Sequence, residues 1–184
     1  FFSGYTDGAA VNAAADYDKA AALASAPDVG TDLGLAATPV AATPTGTLSA
    51  SMASDSPAAA VLPQSSTSTS VMKFVVTAGA NAATISSASF RVVGVGASGD
   101  FNNVYLFEGG TRLTSGRTVA SQTRTVEFSN LGLSVGANSS RTLTVVVDVS
   151  ADATSGDTHA FELTSLGTTA SVSGLPLRAN TLSI

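Results

Sequence analysis

The chain has 184 residues, of which 44% are hydrophobic and 11% are charged, with no cysteine, no tryptophan and one histidine. Soluble domains usually carry about 25% charged residues, so this is a weakly charged chain, rich in alanine, serine and threonine. The lack of cysteine excludes disulfides, thiol catalysis and thiolate metal sites. Because residue types suited to catalysis are so scarce, we expect a protein that is not an enzyme and that needs no cofactor.

The net charge of −5 arises in the first third of the chain, and the remainder is balanced. No basic patch is present to neutralise a phosphate backbone, so we expect no nucleic-acid partner. No basic amphipathic stretch and no apolar run near the ~20 residues of a membrane span occur, so we expect no membrane insertion. Few lysines and glutamates beside many serines and threonines are typical of exported bacterial surface proteins. We therefore expect an extracellular, cell-surface location, with Phe1 as a processed start or a fragment boundary.

Residues 1–46 lack the alternation of a β-strand and are predicted to form an N-terminal arm. Alanine dominates residues 8–26, which favours a short helix that Asp7 caps and Pro27 ends. Residues 29–47 are predicted to be an extended linker, because their two prolines block a helix.

From residue 47 onward, apolar residues alternate with polar ones, which indicates strands. The alternating sets begin at Leu48, Met72, Ala88, Val126, Leu143 and His159, and further apolar residues follow at Val172, Leu182 and Ile184. Residues 65–70 are predicted to be a loop. A hairpin is predicted from Val104 to Leu113, because the pair Gly109-Gly110 supplies the positive φ angles of a tight turn.

Eight or nine short strands separated by turn signals, with no helical period after residue 46, predict an all-β fold. We expect an antiparallel, Ig-like β-sandwich over residues 47–184. A domain of this size buries roughly two-thirds of its unfolded surface, which is enough to fold without disulfides or metal.

Several stretches resemble Ig-like β-sandwich modules of large bacterial cell-surface proteins. They are LSAS from Leu48, DSPAA from Asp55, MKFVVTA from Met72, FNNVYLFEGGTRL from Phe101, RTLTVVVDVS from Arg141, GDTHAF from Gly156 and NTLSI from Asn180. The resemblance covers residues 47–184 and implies an extracellular building block with no catalytic residues to carry over. The arm resembles no family.

The single histidine is the first candidate for chemistry. His159 alternates with Phe161 and Leu163, so we interpret it as a structural strand residue rather than a catalytic base. Two groups of oxygen-bearing side chains are candidates for Ca²⁺. One comprises Asp148, Asp152 and Asp157, and the other comprises Asp100, Asn102 and Asn103. Neither group has the pattern of a strong calcium loop, so we interpret both as turn-forming residues and predict no metal site.

Two further motifs are weaker. Glu108, Glu127 and Glu162 are candidate carboxylates for glycoside hydrolysis, but no cleft is evident around them. Residues 94–99, Gly-Val-Gly-Ala-Ser-Gly, match a dinucleotide-binding loop in spacing only, since no helical pattern and no acidic residue follow at the required distance. We interpret this stretch as a flexible loop between strands.

An arm that is poor in bulky side chains gains burial by lying on a neighbouring molecule, and a β-sandwich offers sheet edges for strand addition. We therefore expect a structural subunit of an extracellular, pilus-like filament or surface assembly whose partners are copies of itself, joined head-to-tail. Residues 34–42 are the expected added strand. The expected interface residues are Phe1, Phe2, Tyr5, Leu33, Leu35 and Val40.

Two alternatives remain open at this point. The chain could be an adhesin or carbohydrate-binding module that binds glycans, with Tyr105 as an exposed ring opposite the inward Val104 and Leu106. It could also be an inert spacer repeat of a larger surface protein.

Overall fold

A computed structural model describes residues 44–184. The predicted arm, its alanine-rich helix and all six expected interface residues (Phe1, Phe2, Tyr5, Leu33, Leu35 and Val40) lie outside the described residues, apart from the last three positions of the arm.

The described chain is built from thirteen strands and one short 3-10 helix, Ser98–Asp100. The first seven strands are β1 (Thr47–Met52), β2 (Thr69–Ala78), β3 (Ala83–Ile85), β4 (Ser87–Val93), β5 (Phe101–Glu108), β6 (Thr111–Arg112) and β7 (Thr125–Phe128). The others are β8 (Leu133–Val135), β9 (Ser140–Val149), β10 (Thr158–Gly167), β11 (Ser171–Ser173), β12 (Leu177–Arg178) and β13 (Leu182–Ser183). In this part of the chain, no helix is long and apolar enough to cross a membrane.

The strands form two main sheets and a small third one. The first sheet has the order β11-β1-β2-β9-β5-β6, and the second has the order β12-β10-β4-β7, with β13 also paired to β10. Strands β3 and β8 form a separate pair. Every pairing between these strands is antiparallel except that of β1 with β11. The predicted all-β, sandwich-like class with antiparallel sheets is therefore confirmed.

The core lies between the two main sheets, where alternate side chains point inward. In β9 the apolar residues predicted to share one face, from Leu143 to Val149, are all buried. A line of aromatic rings joins the sheets: Phe74 of β2 meets Phe90 of β4 at 5.9 Å between ring centroids, and Phe90 meets Phe128 of β7 at 6.0 Å. These edge-to-face contacts add to the burial of large apolar surfaces.

The predicted hairpin is present as β5 and β6, with Glu108 opposite Thr111. Gly109 has a φ of +55°, whereas Gly110 is not among the residues with positive φ. The turn thus needs a left-handed residue at its first central position only, which corrects the expectation that both glycines supply one. Arg141 of β9 holds the turn from the side, because its guanidinium binds the Glu108 carboxylate through two N–H groups.

The number of strands was underestimated. Strands β3 and β8 have only three residues each, and β12 and β13 only two, so none is long enough to show an alternating pattern. The serine- and threonine-rich run was also only partly a loop. Its last two residues, Thr69 and Ser70, begin β2 and pair with Val147 and Val146 of β9.

The chain enters and leaves the described domain at opposite ends. Thr45 donates its N–H to Thr169, and Gly46 accepts from Ser171, beside the starts of β1 and β9. At the other end Ile184 donates to Asp157, next to the start of β10. The ten residues of β9 separate these ends, which corresponds to about 30 Å at ~3.3 Å per residue.

Phe90 is fully buried and touches an aromatic ring on either side, so Phe90→Ala is expected to lower the free energy of unfolding by about 3–5 kcal/mol. Urea denaturation followed by circular dichroism measures the change. Val95→Ala is the matched control, because Val95 is 82% exposed and its truncation should change stability by less than about 0.5 kcal/mol. Equal effects of the two substitutions would contradict this description of the core.

Candidate functional site

The most unusual polar arrangement in the described chain is a buried histidine–aspartate pair. His159 lies near the start of β10, and Asp100 ends the 3-10 helix directly before β5. Nε2 of His159 and Oδ2 of Asp100 are 2.8 Å apart. His159 is 0% exposed and Asp100 is 3% exposed, so the pair lies inside the protein and joins the two main sheets.

Aromatic packing fixes the position of the histidine ring. Phe101, the first residue of β5, contacts the imidazole edge-to-face at 4.7 Å between centroids and contacts Phe161 at 5.4 Å. His159 thus shares the buried side of β10 with Phe161 and Leu163, as its alternation predicted. The partner of the imidazole was not predicted, because Asp100 lies 59 residues away in sequence.

The glycine-rich loop between β4 and β5 covers the histidine. Gly96 donates its N–H to the carbonyl of Thr158 at 3.3 Å. A Cβ atom at residue 96 would overlap Cε1 and Nε2 of His159 and would lie 2.9 Å from Oδ2 of Asp100. Only glycine therefore lets the backbone pass this close to the ring. The loop leads from β4 into the 3-10 helix and β5, as expected for a loop between strands.

Two more charged side chains approach the pair. Oδ2 of the half-buried Asp157 accepts the N–H of Ala97 at 3.3 Å. One ligand atom each from Asp100, Asp157 and His159 lies within 4.8 Å of the others. Arg124 holds the glycine-rich loop, because its Nη1 donates to the carbonyl of Gly96 at 2.6 Å. We name these four residues, Asp100, Arg124, Asp157 and His159, the buried cluster after the buried pair at its centre; Arg124 and Asp157 are themselves half-buried.

Burial lowers the pKa of His159 below its ordinary value of 6.5, and the hydrogen bond to Asp100 opposes this only in part. This direction favours the neutral imidazole at pH 7, and the proton is assigned to Nε2 because an ionised Asp100 carboxylate can only accept a hydrogen bond. Nδ1 is then a buried lone pair, and it has no partner among residues 44–184. Nη2 of Arg124 is also buried and without a partner within these residues. Such groups are rare, since burial without a hydrogen bond is costly.

The other acidic candidates do not join the buried cluster. The expected group of Asp148, Asp152 and Asp157 is not formed as one site: Asp148 binds Tyr105, and Asp152 is exposed. Asp100 is likewise separated by its burial from Asn102, which is exposed in β5. Sequence reasoning had placed Asp100 and Asp157 in different groups, and the fold brings them together.

The three candidate glutamates are placed in separate contacts. Glu108 binds Arg141, and Glu162 accepts from Nη2 of Arg91 at 3.2 Å. Glu127 accepts from the hydroxyl of Ser89 at 3.2 Å. Each contact joins two neighbouring strands, so these carboxylates act as cross-strand links.

A cleft of about 530 Å³ lies on the outer face of the first sheet. Its lining includes Phe107, Val146 and the ion pair of Lys73 with Asp55. Tyr105 lies on the same face of β5 as Phe107, and their rings are 6.4 Å apart. As predicted, Tyr105 points away from the buried Val104 and Leu106.

The hydroxyl of Tyr105 donates to Oδ2 of Asp148 at 2.6 Å, and the guanidinium of Arg112 lies 5.2 Å from its ring centroid. The ring is thus half-buried and held from two sides, instead of being a free platform. The hydrogen bond to Asp148 raises the pKa of Tyr105 above its ordinary value of 10.0, since a phenolate would lose the bond and face a carboxylate.

Comparison with known proteins gives only distant likenesses. No protein-family model matches the chain, and no curated protein matches it. A solved structure of a family 123 glycoside hydrolase from Clostridium perfringens is similar over 75% of this chain, with 16% identity and a TM-score of 0.39. The chain spans only 27% of that hydrolase. The bacterial hydrophobin BslA is similar over 76% of this chain and 91% of its own, with 14% identity and a TM-score of 0.27.

Gly96→Ala is expected to lower the free energy of unfolding by about 1–3 kcal/mol, because its methyl group would overlap the imidazole of His159. Gly99→Ala is the matched control from the same loop, since a Cβ there has no atom within 4 Å and should cost less than about 0.5 kcal/mol. Thermal and urea unfolding of both variants measure the difference. Tolerance of alanine at residue 96 would mean that the loop does not lie on the ring.

Tyr105 is expected to ionise at a higher pH than an unperturbed tyrosine, and Asp148→Asn should bring its pKa back towards 10.0. The absorbance of phenolate at 295 nm measures the titration, and a Tyr105→Phe variant identifies which transition belongs to this residue. Because the folded chain holds this proton more tightly than the unfolded chain, stability should fall as the pH rises above 10. An unchanged titration in Asp148→Asn would contradict the assigned hydrogen bond.

Proposed function

We propose that the chain is a structural subunit of an extracellular assembly, in which copies join head-to-tail through residues 1–43. The composition typical of exported surface proteins supports the location. The observation that carries the proposal is an open sheet edge on β7, which could accept a strand from a second copy.

The ladder between β4 and β7 shows which peptide groups face outward. Val92 donates its N–H to the carbonyl of Arg124, so Val126 and Phe128 form the hydrogen-bonded pairs with β4. The peptide groups of Thr125 and Glu127 therefore point away from β4. The carbonyl of Thr125 accepts from Ala120, but the N–H and C=O of Glu127 have no backbone partner within residues 44–184.

The other edge strands are shorter than β7 and offer a shorter edge to a partner strand. Strand β7 has four residues, whereas β11 has three and β6 and β12 have two each. Short edges resist unspecific pairing between copies. A specific partner strand finds the longest open edge at β7, where the outward N–H and C=O of Glu127 supply both a donor and an acceptor for backbone hydrogen bonds.

The residues that follow the arm enter the domain beside Thr169. An arm that reaches the β7 edge of the next copy makes a heterologous contact, which builds an open filament when the rotation between copies does not close a ring.

The charged side chains support a structural role rather than catalysis. Arg141 with Glu108, Arg91 with Glu162 and Lys73 with Asp55 each join different strands or a strand and its neighbouring loop. These pairs link neighbouring segments within each sheet, which is a structural role for the side chains that form them.

Deletion of residues 1–43 is expected to abolish assembly while leaving the domain folded, because Thr45 and Gly46, which bond to the body, are kept. Negative-stain microscopy and light scattering of the purified full chain and the deletion variant measure assembly, and circular dichroism measures folding. Filaments that persist after the deletion would reject the role of the arm, and a full chain that stays monomeric at every concentration would favour a spacer repeat.

Glu127→Pro tests the accepting edge. Proline removes the outward N–H of residue 127 without touching a hydrogen bond to β4, so it should block strand addition. Glu127→Ala keeps that N–H and is the matched control. Assembly by the proline variant at the rate of the alanine variant would place the accepting surface elsewhere.

Glycan binding is the second candidate function, and the outer-face cleft is the observation that favours it. The ring of Phe107 lines this cleft beside the Lys73–Asp55 pair, which suits a ligand with polar edges and an apolar face. It is the weaker proposal, because the polar side chains near the cleft are already paired: Lys73 bonds to Asp55, and Tyr105 bonds to Asp148.

A further inference from the structure

We propose that the buried cluster binds one divalent transition-metal ion, with zinc as the probe, through His159, Asp100 and Asp157. This site is separate from the β7 edge and does not depend on the proposed assembly. Within the described chain, these three residues place one ligand atom each within 4.8 Å of the others.

The donor set selects the kind of metal. One imidazole nitrogen and two carboxylate oxygens are ligands that zinc accepts, with bonds of about 2.0–2.2 Å. Calcium prefers an all-oxygen set of six to eight ligands, so it fits this cluster poorly. No thiolate competes anywhere in the chain, because it has no cysteine.

The distances allow a shared ion. Two ligands at about 2.1 Å from one tetrahedral metal stand about 3.4 Å apart. Nε2 of His159 and Oδ2 of Asp100 are 2.8 Å apart, so these two atoms must separate slightly for an ion to take the place of the shared proton. The ligand atom of Asp157 lies within 4.8 Å of the other two and must move closer by up to about 1.4 Å, and Asp157 is the half-buried member of the set. Water can complete the coordination from that side.

The ring nitrogen that would bind the ion is Nε2, because it is the one that faces Oδ2 of Asp100. Coordination through Nε2 moves the ring proton to Nδ1, which is buried and has no hydrogen-bond partner within residues 44–184.

One charge opposes the ion. Arg124 lies close enough to disfavour positive charge on His159, and it is fixed to the carbonyls of Val92 and Gly96. The two carboxylates of Asp100 and Asp157 outnumber this guanidinium, and they supply the negative charge that a divalent ion needs. Because one of the ligands is an imidazole nitrogen, we expect the site to prefer metal ions that bond strongly to nitrogen and to bind Mg²⁺ and Ca²⁺ weakly.

The test uses the full chain, purified without a polyhistidine tag and freed of metal with a chelator. Isothermal titration with zinc chloride should show one zinc per chain. Because the chain has a single histidine, a sample with ¹⁵N-labelled histidine gives one pair of ring-nitrogen signals. Zinc should shift one of the two signals strongly and so identify the coordinating nitrogen.

Asp157→Asn is the informative variant, because this residue is only half-buried and its change leaves the bond between Asp100 and His159 in place. It should weaken zinc binding at least about tenfold. Asp152→Asn is the matched control, because Asp152 is an exposed aspartate five positions earlier. The Asp152→Asn chain should bind zinc as tightly as the unaltered chain does. Absence of stoichiometric zinc, unshifted histidine signals, or equal affinity in Asp157→Asn would each overturn the proposal.

Discussion

Burial of alternating apolar side chains between two sheets is the constraint on which the remaining structure depends. Most of the buried apolar side chains of residues 44–184 belong to one continuous core cluster, so the free energy of folding comes mainly from this layer. Phe74, Phe90 and Phe128 form its centre, with one ring from the first sheet and two from the second. The strand register that these side chains impose also aligns the cross-strand pairs of Glu108 with Arg141 and of Arg91 with Glu162.

The same constraint explains what the sequence alone could predict. Strand β9 alternates from Leu143 to Val149, so its buried face was predicted correctly. In β10, His159, Phe161 and Leu163 share one side as predicted, and the alternation ends at a bulge after Leu163. Strands of two or three residues were missed, since pairing with a neighbour, and not local pattern, makes them strands. The turn at Gly109 was predicted in place but not in its detailed backbone angles.

The buried cluster could not have been predicted from spacing. Asp100 lies in the 3-10 helix before β5, His159 lies in β10, and Arg124 reaches them from a third segment. Each residue taken alone has an ordinary interpretation, as a turn aspartate, a strand histidine or a surface arginine. The one local signal was the run of glycines from residue 94 to residue 99, whose meaning is steric: the backbone at Gly96 must pass against an imidazole.

The placement of the two chain ends has a mechanical consequence. A pulling force applied at residue 44 and at Ile184 would act along β1 and β13, parallel to the strands with which they pair. Hydrogen bonds loaded in this shear direction break together, whereas bonds at an unzipping end break one after another. The domain is thus oriented to resist stretching, and its lifetime under tension depends on the rate of forced unfolding more than on equilibrium stability.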